Sequence, residues 1–323
     1  MRHSFHRAGA AIVALAMSIL PGIAGTYPDK PIHLIVPTAP GGSLDAVARI
    51  MANEIGERLG QIIVVENRAG AGGNIGNEAA ARSAPDGYTL LMASSPLAVN
   101  VSLYKDLKYD PLKDFTPLSL VALQPQVLVV NPGMEMKTVQ DVIDYAKANP
   151  GKLNYGSAGV GNSQHLAAEL FEAKTGVDMV HVPYRGGGPA MTDLVGGRLQ
   201  LMFEPIPSAM GYIQSNRLRA IAVTVKDRVP ALPDVPTIAE SGIPDYSVSG
   251  WLSVMGPAGL PPDIAAKLSE TIQAAARNPK TREQLTKLGL QVVGSTPEEF
   301  SEFLKGEVKF YKKLISDAHI TLN

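Results

Sequence analysis

The 323-residue chain has no cysteine, one tryptophan and few aromatic residues, 6% in all. Without cysteine it can form no disulfide, no thiolate metal site and no Cys nucleophile, and an exported form has no lipidated cysteine to tether it to a membrane. Histidine is also scarce. Beyond residue 24 only His33, His165, His181 and His319 remain, and no His-x-x-x-His or Glu-x-x-His spacing offers a metal site, so no metal or cofactor is expected. Neither sign of charge dominates: 29 basic residues face 30 acidic ones, which argues against nucleic acid as a partner. Several catalytic signatures are missing too. The Gly-x-Ser-x-Gly elbow of serine hydrolases fails because Tyr155 stands where the first glycine before Ser157 belongs. A dinucleotide fingerprint fails because Gly70-Ala71-Gly72 is followed by Ile75, and Gly159-Val160-Gly161 by Gln164, at the third glycine position. There is no P-loop lysine.

At the N-terminus, Arg2 and Arg7 precede an apolar run of about 13 residues from Ala8 to Leu20, then Pro21, Gly22 and small residues to Ala24, with no acidic residue among them. That pattern reads as a secretory signal, and the run is short of the roughly 20 residues that span a bilayer. The mature chain is expected to be periplasmic, freely diffusing and monomeric. Without Arg2 and Arg7 it carries 27 basic against 30 acidic residues, so any anion must be held locally rather than by a global field. The remaining length, about 299 residues with an apolar content of 45% over the whole chain, is enough for two α/β lobes.

The most informative segment runs from Leu34 to Asp45, where an apolar strand passes through Pro37-Thr38-Ala39-Pro40-Gly41-Gly42 directly into an amphipathic helix. Such a junction makes an anion cradle: glycines allow close backbone approach, and the free N–H groups of the first helical turn point at whatever the loop holds. A second such junction spans Leu153 to His165, through Gly156-Ser157-Ala158-Gly159-Val160-Gly161-Asn162-Ser163. Strands are predicted at 32–36, 62–65, 89–92, 126–130, 179–182, 199–203 and 219–224, alternating with helices, so mostly parallel sheets covered on both faces are expected. Leu44, Val47, Met51, Ile55 and Leu59 form the buried stripe of the first helix. Thr138 with Asp141, and Thr296 with Pro297 and Glu299, mark helix starts. The last helices, with Phe300, Phe303, Leu304, Val308 and Tyr311 on one side, read as lobe covering with no polar group aimed inward. Turn-rich segments at Gln124-Pro125 and from Gly242 to Ser249 are the places where the chain could cross between lobes.

From Tyr27-Pro28-Asp29-Lys30-Pro31-Ile32 to its C-terminus the chain resembles the Bug-type (TctC-like) solute receptors of tripartite tricarboxylate transporters. The resemblance is carried by Val64, Glu66-Asn67-Arg68, Gly70, Gly72-Gly73-Asn74-Ile75-Gly76, Pro85-Asp86-Gly87-Tyr88-Thr89, the Gly156 to Leu166 cradle, Val182-Pro183-Tyr184-Arg185-Gly186 and Leu232-Pro233-Asp234-Val235-Pro236-Thr237. It implies an α/β, type II periplasmic binding fold: two lobes with mostly parallel central sheets, joined by a two-crossover hinge and closing on a small carboxylate for delivery to a membrane permease. Residues 1–24 would then be signal, 25–125 with 248–323 the first lobe, and 126–247 the second. No reaction is implied. The carboxylate, aromatic or dicarboxylic, would be held by backbone amides and hydroxyls of the cradles, partly through water.

Carried over by position, the first loop offers Thr38, Pro40, Gly41 and Gly42, with Asp45 ordering that loop, and the second offers Ser157, Gly161, Asn162 and Ser163. His165 either touches the ligand or bonds its own loop. Ser94 and Ser95 either donate hydroxyls across the cleft or cap the strand before them. Arg185, ahead of Gly186, either pairs with a second acidic group on the ligand or bridges the lobes. Glu204 either reads a donor on the ligand or binds water, and Trp251 either packs in the core or stacks on an aromatic acid. The family usually has an aromatic residue where this chain has Thr38, and Ser or Thr where it has Asn162, which implies a larger or more polar pocket. Two rival readings are an exported sensor feeding a membrane kinase and, less favoured, an exported hydrolase acting through Ser157 or Ser163.

Overall fold

The computed structural model describes residues 27–184 and 186–321; the segment read as a signal and Arg185 lie outside them. Among the described residues no helix is long and apolar enough to cross a membrane. The chain begins with β1 (Ile32–Val36), α1 (Ser43–Leu59), β2 (Ile63–Asn67), α2 (Asn74–Ala81), β3 (Thr89–Ser94), α3 (Pro96–Leu103) and β4 (Phe115–Gln124). It continues through β5 (Gln126–Val130), α4 (Val139–Ala148), β6 (Asn154–Ser157), α5 (Ser163–Thr175), β7 (Val180–Pro183), α6 (Gly187–Val195), β8 (Leu201–Pro205), α7 (Ile206–Gln214) and β9 (Arg219–Val223). It closes with β10 (Gly250–Pro257), α8 (Pro262–Arg277), α9 (Pro279–Lys287), β11 (Gln291–Val292) and α10 (Pro297–Asp317).

The strands form a six-stranded sheet, ordered β11-β4-β10-β3-β1-β2, and a five-stranded sheet, ordered β7-β6-β8-β5-β9. The chain leaves the first sheet for the second between Gln124 and Gln126 and returns between Val223 and Gly250. Both sheets are mixed. The expected parallel pairing holds for β1 with β2 and β3, and for β6 with β7 and β8. The strands nearest the crossings run antiparallel to their neighbours: β10 to β3 and β4, and β5 to β8 and β9. Parallel neighbours need a crossover connection, usually a helix, and a chain that passes from one sheet directly into the other makes none at those points.

The predicted stripe of α1 is core: Val47, Met51 and Ile55 are buried with Ile32, Leu34 and Val36 of β1 and with Leu268 and Ile272 of α8. Both predicted capping boxes are present, Thr138 with Asp141 and Thr296 with Glu299. One expectation needs correcting. α10 does aim a polar group inward, since Glu307 accepts a bond from Trp251 Nε1 at 2.9 Å. Trp251, fully buried and edge-on to Phe300 and Phe303, is a core residue whose single N–H had to find a partner.

Candidate functional site

At the carboxyl end of β1 the chain turns through Pro37 to Gly42, with Gly41 at φ +88°, and enters α1 without a side-chain cap. The turn is fixed from inside by Asp45. Its Oδ2 accepts the Gly41 amide at 2.9 Å and Arg49 Nε at 3.0 Å, while Oδ1 accepts Arg49 Nη2 at 3.0 Å and Asn67 Nδ2 at 2.9 Å. The Arg49 guanidinium, with help from the Gly41 amide and Asn67, holds the Asp45 carboxyl down at about 2. Asp45 thus orders the loop, as expected. The first intrahelical bond is Ala46 N–H to Gly42 O, so the first-turn amides of Ser43 and Leu44 have no partner inside the helix.

The second cradle is built differently. Asn162 caps α5, its Oδ1 accepting the His165 amide at 2.9 Å, and Leu166 N–H makes the first intrahelical bond. The turn before it uses Gly159 at φ +137° and Gly161 at φ +75°, conformations that a side chain would strain. Gln164, absent from the sequence-based set, braces this turn. Its Oε1 accepts the Ala158 amide at 2.6 Å and Asn162 Nδ2 at 3.2 Å, and its Nε2 donates to the Glu204 carboxylate. His165 bonds its own loop: Nδ1 accepts the Gly161 amide at 3.0 Å, and the ring is buried. Ser157 is fully buried, its Oγ 2.6 Å from His181 Nε2 and tied to both the N–H and C=O of Gly159. Gly186 is joined to the same turn through its amide to Ala158 O at 3.3 Å.

Between the two sheets lies a cavity of about 180 Å³. From the first sheet and its helices it is lined by Leu44, Ser94, Ser95, Pro96, Val99, Leu252 and Tyr311; from the second cradle by Gly161, Asn162, Ser163 and Leu166; and near the crossings by Gln124, Gly250 and Trp251. The N-terminal turns of α1 and α5 therefore face one space. Of the sequence-predicted residues, Ser94, Ser95, Gly161, Asn162 and Ser163 line it. Thr38, Pro40, Gly41, Gly42, Ser157, His165, Gly186 and Glu204 do not. Thr38 to Gly42 form the loop leading to Leu44, and Thr38 Oγ1 is buried there without a partner. Ser95 does not cap α3; its Oγ accepts the Trp251 amide at 3.0 Å and so ties the β3–α3 turn to β10. Glu204 sits beneath the cradle, pushed up to about 7 by burial against the opposing bonds from Gln164 and Ser208.

The lining residues missed from sequence are mostly apolar, and apolar positions carry no motif. Gln124 had a signal, since it adjoins a suspected crossing; in the fold its Nε2 donates to Ser43 Oγ at 3.1 Å. Gly161 also marks where the two sheet layers meet: a Cβ on it would stand 2.4 Å from Leu103 Cδ1 of α3.

The family model described as "Tripartite tricarboxylate transporter family receptor" matches residues 47–320. Protein BugT of Bordetella pertussis is 40% identical over 307 residues, covering 94% of each chain. An R. palustris protein solved with adipate superposes with a TM-score of 0.80 at 34% identity, covering 92% of this chain and all of that one. MatC from Rhodopseudomonas palustris, solved with bound malate, superposes at 0.76 with 31% identity, covering 90% of this chain and all of that one.

Proposed function

Because the chain belongs to the tripartite tricarboxylate transporter family of receptors, we propose that it captures a small organic carboxylate between its two sheets and presents it to a membrane permease. The family is one of binding receptors, not enzymes. The observation that carries this reading is the convergence of two helix N-termini on one cavity, with Leu44 on one side and Asn162 and Ser163 on the other. Unbonded first-turn amides and the positive ends of α1 and α5 suit an anionic group. Ser94 and Ser163 add hydroxyls, and Leu44, Val99, Leu166 and Leu252 suit a short hydrocarbon body.

The two relatives solved with adipate and with malate make a dicarboxylate the first class to try. The Ser157–His181 pair does not favour a hydrolase, because that hydroxyl is fully buried and bonded to its own loop. We assign residues 25–125 with 248–323 and residues 126–247 to the two closing lobes, and we place the mature chain in the periplasm. A thermal-shift screen of the mature protein against aliphatic and aromatic mono-, di- and tricarboxylates tests the reading. Dicarboxylates are expected to raise the midpoint, since a ligand that binds only the native state stabilises it by mass action. If no carboxylate moves the midpoint of ligand-stripped protein, the proposal fails.

A further inference from the structure

Beneath the second cradle is a stack of side chains, Tyr155 and His165 buried and His181 and Glu169 half-buried, none of which lines the cavity. The rings of Tyr155 on β6 and His181 on β7 lie 4.9 Å apart at 16°, and those of His181 and His165 3.9 Å apart at 10°. Glu169, one turn along α5 from His165, closes the group: its Oε1 accepts from Tyr155 Oη at 2.9 Å and stands 3.1 Å from His165 Nε2. The charged and titratable neighbours are Tyr155 from β6, Glu169 and Glu172 from α5, Asp178, which acts on Glu172, and Glu204 from β8, which reaches the same turn through Gln164.

The hydrogen bonds fix the chemistry of His165. An amide N–H can only donate, so Nδ1, which receives it from Gly161, must carry a lone pair, and the ring proton sits on Nε2 facing Glu169. A second proton on His165 would go to Nδ1 and would abolish the Gly161 bond. His181 lies parallel to that ring, and it also holds Ser157, whose Oγ anchors Gly159. Both glycines that shape the cradle are thus tied to this stack.

We propose that Glu169 and His181 are positioning residues, keeping His165 as the neutral acceptor that aims the second cradle, and that protonation of the histidine pair lowers affinity for the carboxylate as the pH falls. This rests on the receptor reading above. Burial, then the neighbouring His165, pushes His181 down to about 4, against the pull of Glu169, which agrees with a His181 ring kept neutral at ordinary pH. Burial raises the Glu169 carboxyl, but bonds from His165 and Tyr155 outweigh it, so Glu169 stays an anionic acceptor.

The test is a nitrogen-15 NMR titration of the ligand-free mature chain, wild type and Glu169→Gln, from pH 7.5 to 4, with parallel calorimetric titration of adipate. The wild type should show His165 as the Nε2–H tautomer, and the Gly161 and Gly159 amide resonances should move together as the pair takes up its proton. Adipate affinity, corrected for the protonation of adipate itself, should fall at least tenfold over the same range. In Glu169→Gln the side-chain amide can donate to Nε2 and favour the opposite tautomer, so the Gly161 resonance should be displaced at pH 7.5 and affinity reduced about tenfold, as for one lost positioned donor. An Nδ1–H tautomer in the wild type, or a Gly161 amide that stays still while the histidines titrate, overturns the proposal. So does adipate affinity that holds constant while that amide moves. Adipate that binds at no pH would defeat the receptor's ligand assignment, while the tautomer and the Gly161 amide would still decide the role of the stack.

Discussion

At residue scale, the two loops are held by side chains that do not line the cavity. Asp45, Gln164 and His165 each take up an amide of their own loop, and in doing so they set the direction of the amides left free. Asp45→Ala should release Gly41, lowering both the thermal midpoint at pH 7 and carboxylate affinity. The Asp45 carboxyl is held down at about 2 against an ordinary 3.8, so its stabilising contribution is complete above that ordinary value and is lost as the pH falls toward 2. Differential scanning calorimetry should therefore show the gap between wild type and variant closing in strong acid, and a gap that stays constant contradicts the assignment. Gly161→Ala should weaken carboxylate binding at least tenfold, because its Cβ meets Leu103 at 2.4 Å and its φ is +75°. Adding Leu103→Ala should restore part of the affinity, the remainder being backbone strain; calorimetric titration of the single and double variants measures both parts. The role of Asp45 was legible in the sequence because a carboxylate in the first turn after a glycine loop has few other uses. Glu169 and His181 were not, because their partner is brought to them by the pairing of β6 with β7 and by one turn of α5, neither of which leaves a motif.

At the scale of elements, the sequence resolved helices better than crossing strands. The stripe of α1 and both capping boxes could be read directly, since 3.6-residue spacing and Thr-x-x-Asp/Glu are local signals. β4 and β10 could not. Both are buried along most of their length, so neither shows the alternation of a half-exposed strand, and Pro117 lies inside β4. Their antiparallel pairing makes the six-stranded sheet mixed, while β5, which the sequence does predict as a strand, does the same for the other. The cap of α10 serves stability and not the site: Thr296→Ala should cost about 1 kcal/mol in urea unfolding while leaving carboxylate affinity unchanged. A loss of affinity in that variant would tie the helix start to the cavity, contrary to this account.

At the scale of the whole molecule, three carboxyls, Glu204 buried and Glu172 and Glu307 half-buried, record how the chain closes around its interior. Burial pushes Glu172, Glu204 and Glu307 up to about 7, beneath the second cradle and behind Trp251. The unfolded chain releases these protons near the ordinary glutamate value of 4.5, so between 4.5 and 7 the folded state binds more of them. Their stabilising effect is complete below that window and is lost as the pH rises through 7. His181, pushed from 6.5 down to about 4, acts in the opposite sense with a single proton. The ligand-free protein should therefore melt at a higher temperature near pH 5 than at pH 7.5, and Glu307→Gln should flatten that slope; a midpoint that rises with pH would contradict the balance. The two sheets meet at a cavity that neither could form alone, with α1 entering it from one and α5 from the other. The account's central claim is that one carboxylate is held by both helix starts, and amide chemical-shift mapping during a titration with adipate, malate and their chain-length homologues tests it most directly. The account predicts that the amides of Ser43 and Leu44 and those of Ser163 and Gln164 shift together with one saturation curve. Saturable binding that moves only one of these pairs, or neither, would contradict it.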